Sequence, residues 1–279
     1  MSIASEISRL QTAKAGLKTA IEGKGVTVSD TTTLDAYPAL VESIQTGGSG
    51  GSDDDLIGVI ERSGTSVNIP NGCTKIGEYA FYYWSALTDV DMPETVTSIG
   101  SSAFQYCTSL ALTSLPSGLT SISNNAFSSC KSLALTSLPS GLTFIYIGAF
   151  QNCSSLALTS LPSGLTSIDD SAFYRCSSLA LTSLPSGLTS IGSSTFQYCT
   201  SLALTSLPSG LTSISNNAFD SCSSLTTLTF EGTPKTISST AFRNCTNLTT
   251  INVPWAEGAV ANAPWGATDA TINYNYTGA

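Results

Sequence analysis

Apolar residues return along this chain at a fixed interval. Phe81, Phe104, Phe127, Phe150, Phe173, Phe196, Phe219 and Phe242 stand 23 residues apart every time, without an insertion or deletion. The same companions recur around each: in the second turn Cys107, Leu110, Leu115, Pro116, Leu119, Ile122 and Ala126 lead to Phe127, and Cys130 opens the next copy. A spacing this strict makes each copy one turn of a stacked coil, because slippage would take side chains out of their columns. Apolar positions a few residues apart, broken by Pro-Ser-Gly, predict two short strands, a tight turn and a single helical turn carrying Ala-Phe. Stacked copies form parallel ladders about 4.8 Å apart.

The pattern C-x-x-L-x-x-x-x-L-P-x-x-L-x-x-I-x-x-x-A-F resembles the BspA-type leucine-rich repeat of bacterial, protist and phage-associated surface proteins, from Leu56 to Pro254. The resemblance implies a right-handed leucine-rich repeat solenoid that serves as a binding scaffold; which partner it binds does not follow from the fold.

One departure from the pattern bears on the sheet. In the outer turns an apolar residue stands six places after the cysteine column: Val90 after Trp84, Leu228 after Cys222, Ile251 after Cys245. The five middle turns put Thr113, Thr136, Thr159, Thr182 and Thr205 there, and carry Leu112, Leu135, Leu158, Leu181 and Leu204 one place earlier. Strand side chains alternate faces, so a one-residue change sends the leucine to the other side unless the backbone shifts. The expected outcome is a local shift that keeps the leucines inside; a five-rung leucine strip facing solvent is the alternative, a ready binding strip. Thr97 to Phe127 recurs as Thr189 to Phe219 with only Ala103 replaced, by Thr195, so the middle of the array grew by block duplication.

The ends read differently. Ile3, Ile7, Leu10, Leu17 and Ile21 form a heptad seam with Lys14 at the missing apolar position, which predicts an oligomerising helix or, alternatively, one that packs on its own chain. Val26 to Val28 and the helical spacing of Leu34, Tyr37, Leu40, Val41 and Ile44 follow. Ile7 to Ile44, with Lys-Gly-Val-Thr-Val and Leu-Asp-Ala-Tyr-Pro-Ala-Leu-Val inside it, resembles short N-terminal modules of phage tail and virion-associated proteins. That gives a small α-helical attachment module over residues 1–46, a GGSGGS-Asp-Asp-Asp linker over 47–55, the solenoid over 56–253 and a cap over 254–279. Leu56 to Ile60 with Val67 to Ile69 predict a hairpin covering the first turn. Ile272, Tyr274 and Tyr276 predict a strand closing the last, with Trp255 and Trp265 as cap packing.

Composition narrows the function. The formal charge is −9 with no basic run, which argues against nucleic acid. No stretch approaches the roughly 18 apolar residues of a membrane span, and Met1 to Ala20 do not read as a secretory signal. Seven of the eight cysteines (107, 130, 153, 176, 199, 222 and 245) share one column, which the first turn fills with Trp84, and Cys73 lies in the Leu119 column. Exchange with Trp and Leu marks buried thiols. A linear ladder without histidine offers neither a tetrahedral metal site nor a general base. No cofactor, metal or catalytic residue is expected, and the chain reads as non-enzymatic.

Variation among the turns concentrates beside the Phe. The pairs are Tyr82-Tyr83, Gln105-Tyr106, Ser128-Ser129, Gln151-Asn152, Tyr174-Arg175, Gln197-Tyr198, Asp220-Ser221 and Arg243-Asn244, on a flank expected to be mostly exposed, and all but Ser128-Ser129 and Asp220-Ser221 form the candidate ligand-binding face. Free drift of surface positions explains the same variation. Tyr146 is expected to extend this face, and the sheet flank offers a hydroxyl row at Ser114, Ser137, Ser160, Ser183 and Ser206 suited to glycans or to solubility. The functional expectation is a receptor-recognition protein of a phage tail, bound through residues 1–46 to tail or baseplate proteins and through the solenoid to a host cell-surface glycan or protein. A BspA-like adhesin of the bacterial surface and a structural spacer are the alternatives.

Overall fold

The computed structural model describes residues 64–278. The helical module, its seam residues, the linker and the Leu56–Ile60 half of the expected hairpin lie outside the described residues.

The phenylalanine column is the axis of the molecule. All eight rings are at most 1% exposed. Neighbouring rings stack face to face, from 4.9 Å between Phe81 and Phe104 to 5.7 Å between Phe173 and Phe196, with interplanar angles no larger than 12°. A column of identical residues at the rise of one turn leaves each ring the same neighbour above and below, so only one conformation packs throughout.

Two rows of short strands flank this spine, every pairing parallel. One row holds β2 (Lys75–Ile76), β4 (Ser98–Ile99), β5 (Ser121–Ile122), β6 (Phe144–Ile145), β7 (Ser167–Ile168), β8 (Ser190–Ile191), β10 (Ser213–Ile214) and β12 (Thr236–Ile237). β5 to β8, β10 and β12 form one six-stranded sheet, and β2 pairs with β4. The isoleucine of each strand points inward and its partner Ser, Thr, Lys or Phe outward.

The other row is interrupted. β1 (Ser66–Asn68) pairs with β3 (Asp89–Asp91), and the row resumes only at β9 (Ser206–Leu207), β11 (Thr227–Phe230), β13 (Thr250–Asn252) and β14 (Thr271–Asn273). The gap coincides with the displaced leucines. Leu112, Leu135, Leu158, Leu181 and Leu204 are at most 5% exposed, whereas the threonines after them are exposed, so the interior reading holds. The cost falls on the ladder: middle turns are joined here by isolated bonds such as Ala134 N–H to Leu112 O (3.1 Å) and Ala180 N–H to Leu158 O (3.0 Å). Burying the leucine one place early turns the peptide planes away from a continuous register.

One expectation is corrected. The Ala-Phe segment is a succession of turns, and no helix occurs among the described residues. In a helix the N–H groups would bond within the segment, four residues back; here alternate N–H groups bond along the rod, Tyr79 to Ser101 O, Phe81 to Ala103 O and Tyr83 to Gln105 O at 2.7–3.0 Å. The residues between close local turns, as Tyr82 N–H does on Tyr79 O (3.1 Å). Val67 to Ile69, the half of the expected hairpin within the described residues, begins the parallel ladder: Val67 of β1 lies beside Val90 of β3.

At the far end the closing strand is shorter than expected: Ile272 lies in β14, and Tyr274 and Tyr276 follow it. β14 adds to β13 in parallel, and Trp255 and Trp265 are 6% and 0% exposed, set edge-on to one another with ring centroids 6.2 Å apart. Phe242 N–H, which has no further repeat to bond, donates to Trp265 O at 2.9 Å.

Candidate functional site

Backbone geometry makes the variable pair beside each Phe a presentation device. The second member of every pair has positive φ: Tyr83, Tyr106, Ser129, Asn152, Arg175, Tyr198, Ser221 and Asn244, between 57° and 65°. This left-handed conformation is uncommon for residues other than glycine and most tolerated by Asn. From Tyr83 to Ser221 it is held because the N–H of each second member reaches the first member of the next pair, as from Arg175 to Gln197 O (2.8 Å) and Tyr198 to Asp220 O (2.9 Å). The side chains therefore leave a fixed backbone at a constant pitch, with little freedom lost on binding.

Three groupings of the predicted residues emerge. At the N-terminal end Tyr82, Tyr83 and Tyr106 come together, joined by Tyr79. Tyr83 stacks on Tyr106 at 4.3 Å, Tyr82 meets Tyr83 edge-on at 4.7 Å, and Tyr79 meets Tyr82 at 5.4 Å. Tyr79 and Tyr83 are 55% and 59% exposed. Desolvation among the rings, followed by the neighbouring Tyr106 and Tyr82, pushes the Tyr83 phenol above its ordinary value of 10.0. Gln105 is half-buried.

In the middle, the Arg175 guanidinium lies over two rings, 5.2 Å from the centroids of both Tyr174 and Tyr198. Such an arrangement holds a long cation in place while leaving its edge to solvent. Gln151 and Asn152, one turn earlier, are half-buried.

Toward the C-terminus the pairs build an internal polar cluster. Asp220 is buried and accepts from Gln197 Nε2 (2.9 Å), Arg243 Nη2 (2.7 Å) and Nε (3.2 Å), Asn244 Nδ2 (2.9 Å) and Ser221 Oγ (2.9 Å). Burial pushes this carboxyl up, but the bonds from Arg243, Asn244 and Ser221 and the Arg243 charge outweigh it and hold Asp220 below its ordinary value. Gln197 is consequently buried, against the expectation of an exposed flank, because its amide is committed to Asp220. Ser128 and Ser129 are also buried. Arg243 and Asn244 are exposed but hold Asp220, so their polar atoms are partly spent inside the protein.

Tyr146 belongs elsewhere. It stacks on Phe144 at 6.0 Å, on the loop that leaves β6. On the sheet flank Ser114, Ser137, Ser160 and Ser183 are exposed and Ser206 half-buried. Where the strand row breaks after β3, a cleft of about 340 Å³ opens between Asp89, Asp91, Glu94, Thr113 and Ser114. Backbone N–H and hydroxyl of Ser117 bind Glu94 there and lower its carboxyl.

The cysteine column carries no chemistry outward. All eight cysteines are free and buried. Each thiol from Cys107 to Cys245 donates to the carbonyl of the Phe 26 residues back, at 3.0–3.1 Å. Burial pushes the Cys130, Cys153, Cys176, Cys199 and Cys222 thiols well up, and Cys245, nearest the end, to about 12. Thiolates are the nucleophiles and the metal ligands, so these groups are inert in the folded chain.

Sequence reasoning missed Tyr79, Phe144 and Ile147, and saw Asp220 only as one of the variable positions. Phe144 and Ile147 had a signal, since they replace Ser and Asn in columns otherwise polar; the role of Asp220 had none, because it lies in donors from its own and two neighbouring turns.

These features define a parallel solenoid of leucine-rich repeats. The BspA type leucine rich repeat region matches residues 61–180 and 166–257, and the chain belongs to that family. Among solved structures the chain is similar to a leucine-rich repeat protein from Bacteroides ovatus, at 20% identity over 75% of this chain and 68% of that one, TM-score 0.41. It is also similar to a leucine rich cell surface protein from Faecalibacterium prausnitzii (23% identity, 77% and 83% coverage, TM-score 0.32) and to a leucine-rich repeat protein from Eubacterium ventriosum (18%, 81% and 77%, TM-score 0.41). No curated protein matches the chain.

Proposed function

We propose that this chain is a non-enzymatic recognition protein whose turn flank binds a glycan or protein on a host cell surface. The observation that carries the proposal is the four-tyrosine cluster of Tyr79, Tyr82, Tyr83 and Tyr106, with Tyr79 and Tyr83 exposed and Tyr82 and Tyr106 half-buried, on a backbone locked by inter-turn hydrogen bonds. Tyrosine supplies large rigid contact area and a hydroxyl at small entropic cost. The Tyr174–Arg175–Tyr198 group adds a cation in the same column of pairs. The inert thiols and the fully engaged Asp220 support a role without catalysis.

Screening the full chain on glycan arrays and whole cells tests this. Binding is expected, with a loss of about tenfold or more, 1.4 kcal/mol, in Tyr83→Ser with Tyr106→Ser. Unchanged binding by that variant would move the site off this flank, and no ligand at all would favour a spacer.

The particle carrying the chain is the finer part of the proposal: a phage tail, with residues 1–46 attaching to tail or baseplate proteins and associating through the Ile3, Ile7, Leu10, Leu17 and Ile21 seam. Its support is the likeness of that segment to virion-associated modules. Membership of the BspA type family favours a second reading, an adhesin of the bacterial surface. Fractionation separates them, since recovery in purified virions supports the tail reading and recovery in wall or membrane fractions without virions supports the adhesin.

A further inference from the structure

One turn of the array departs from all the others at residues outside the tyrosine clusters. Residues 144–147 read Phe-Ile-Tyr-Ile, where the preceding turn has Ser121, Ile122, Ser123 and Asn124 and the following one Ser167, Ile168, Asp169 and Asp170. Only the isoleucine after Phe144 is buried. Phe144 is 42% exposed, Tyr146 38% and Ile147 51%, and the Phe144 and Tyr146 rings stack at an interplanar angle of 14°. Among the described residues every other exposed large hydrophobic side chain is a tyrosine. Gly148, with φ of 61° like Asn125 in the turn before, leaves room for the Asn125 carboxamide, which a Cβ there would strike.

The next turn places two carboxylates in register with this patch. Asp169 follows Tyr146 in its column and Asp170 follows Ile147, tied by Asp169 N–H to Ile145 O (2.9 Å) and Gly148 N–H to Asp170 O (3.0 Å). Oδ1 of Asp169 accepts from Ser167 and Oδ1 of Asp170 from the Ser193 N–H, which fixes both groups while Oδ2 bonds to no described residue. An apolar step beside a double negative charge is complementary to an apolar side chain next to Lys or Arg.

We infer that Phe144, Tyr146 and Ile147, with Asp169 and Asp170, form a second docking site, for a polypeptide segment in which apolar and basic side chains are neighbours. A second copy of this chain fits poorly, because two-fold pairing of the patch brings two aspartate pairs together. The site stands independently of the tyrosine flank.

The test titrates the full chain into a short labelled peptide of alternating leucine and lysine, with leucine–glutamate and serine–lysine peptides as controls. The leucine–lysine peptide is expected to bind and the controls to bind much more weakly. Phe144→Ser/Tyr146→Ser/Ile147→Asn is expected to weaken binding about tenfold or more, 1.4 kcal/mol. These residues stand in the same columns one turn earlier, so the array accommodates them, and an unchanged thermal transition checks it. Asp169→Asn/Asp170→Asn is expected to weaken binding and flatten its salt dependence. Equal binding by the triple variant, or serine–lysine binding as tight as leucine–lysine, overturns the site. Two further results overturn it by naming another occupant: a drop in oligomer mass in the triple variant, meaning a second copy, or concentration-independent protection of Tyr146 from hydroxyl-radical labelling in the free chain, meaning its own residues.

Discussion

Each column cysteine meets a need that leucine in its place would not. The Phe carbonyl already accepts the N–H of the cysteine three residues on, as Phe104 O does from Cys107 at 3.0 Å, and the thiol of the next turn takes its second lone pair. A small apolar side chain with one weak donor fits the spine without an unpaired polar group. In the folded chain these thiols are expected to resist an aromatic disulfide reagent, reacting only at the rate of unfolding, with Cys245 among the first because it is 6% exposed while Cys107 to Cys222 are fully buried. Rapid labelling of several thiols without denaturant would contradict this. Asp220 is the residue with a pH signature. Its folded pKa is depressed, so its contribution is present above the ordinary carboxylate value of 3.8 and is lost as pH falls through the lower folded value. Asp220→Asn is expected to cost about 2 kcal/mol in urea unfolding at neutral pH. The difference from the parent should vanish at pH well below 3.8; a gap that persists there would place the effect in packing.

The strand row explains what a turn tolerates. Val90 and Leu228 stand in strands, β3 and β11, while Leu112, Leu135, Leu158 and Leu181 reach the same core from one place earlier at the expense of the strand. A turn therefore has two self-consistent arrangements, and they meet at only two junctions, between the Val90 and Leu112 turns and between the Leu204 and Leu228 turns. Exchanging Leu158 and Thr159 gives one middle turn the outer pattern between neighbours that keep the other. This double variant is expected to lose about 2 kcal/mol or more, measured by urea denaturation, and a neutral exchange would show that neighbours do not have to agree. The turn after β6 illustrates the converse: the core Ile145 is kept while every solvent-facing position around it changes, so recognition residues vary without touching the ladder.

At the scale of the molecule, each turn touches only the next, so stability accumulates along the array and both ends need closure. The C-terminal end has it in β14 and the two tryptophans. The period, the inward columns, the buried thiols and the cap were legible in the sequence because each is a local pattern repeated, and repetition averages out local ambiguity. The helical turn was misread because Ala-Phe spacing is common to a helix and to a chain of turns; which forms depends on whether the N–H groups have partners in the next turn. The face carrying the candidate site was legible as variation, but its exposure was not, since Gln197 lies inside only because Asp220 on the following turn claims its amide. By itself the sequence determined that this chain stacks and what fills its interior, because the interval between identical apolar residues admits one register. Tertiary structure alone decided which polar side chains face water and which rings gather, because those contacts join residues a full turn apart and depend on the angle at which one turn lies on the next.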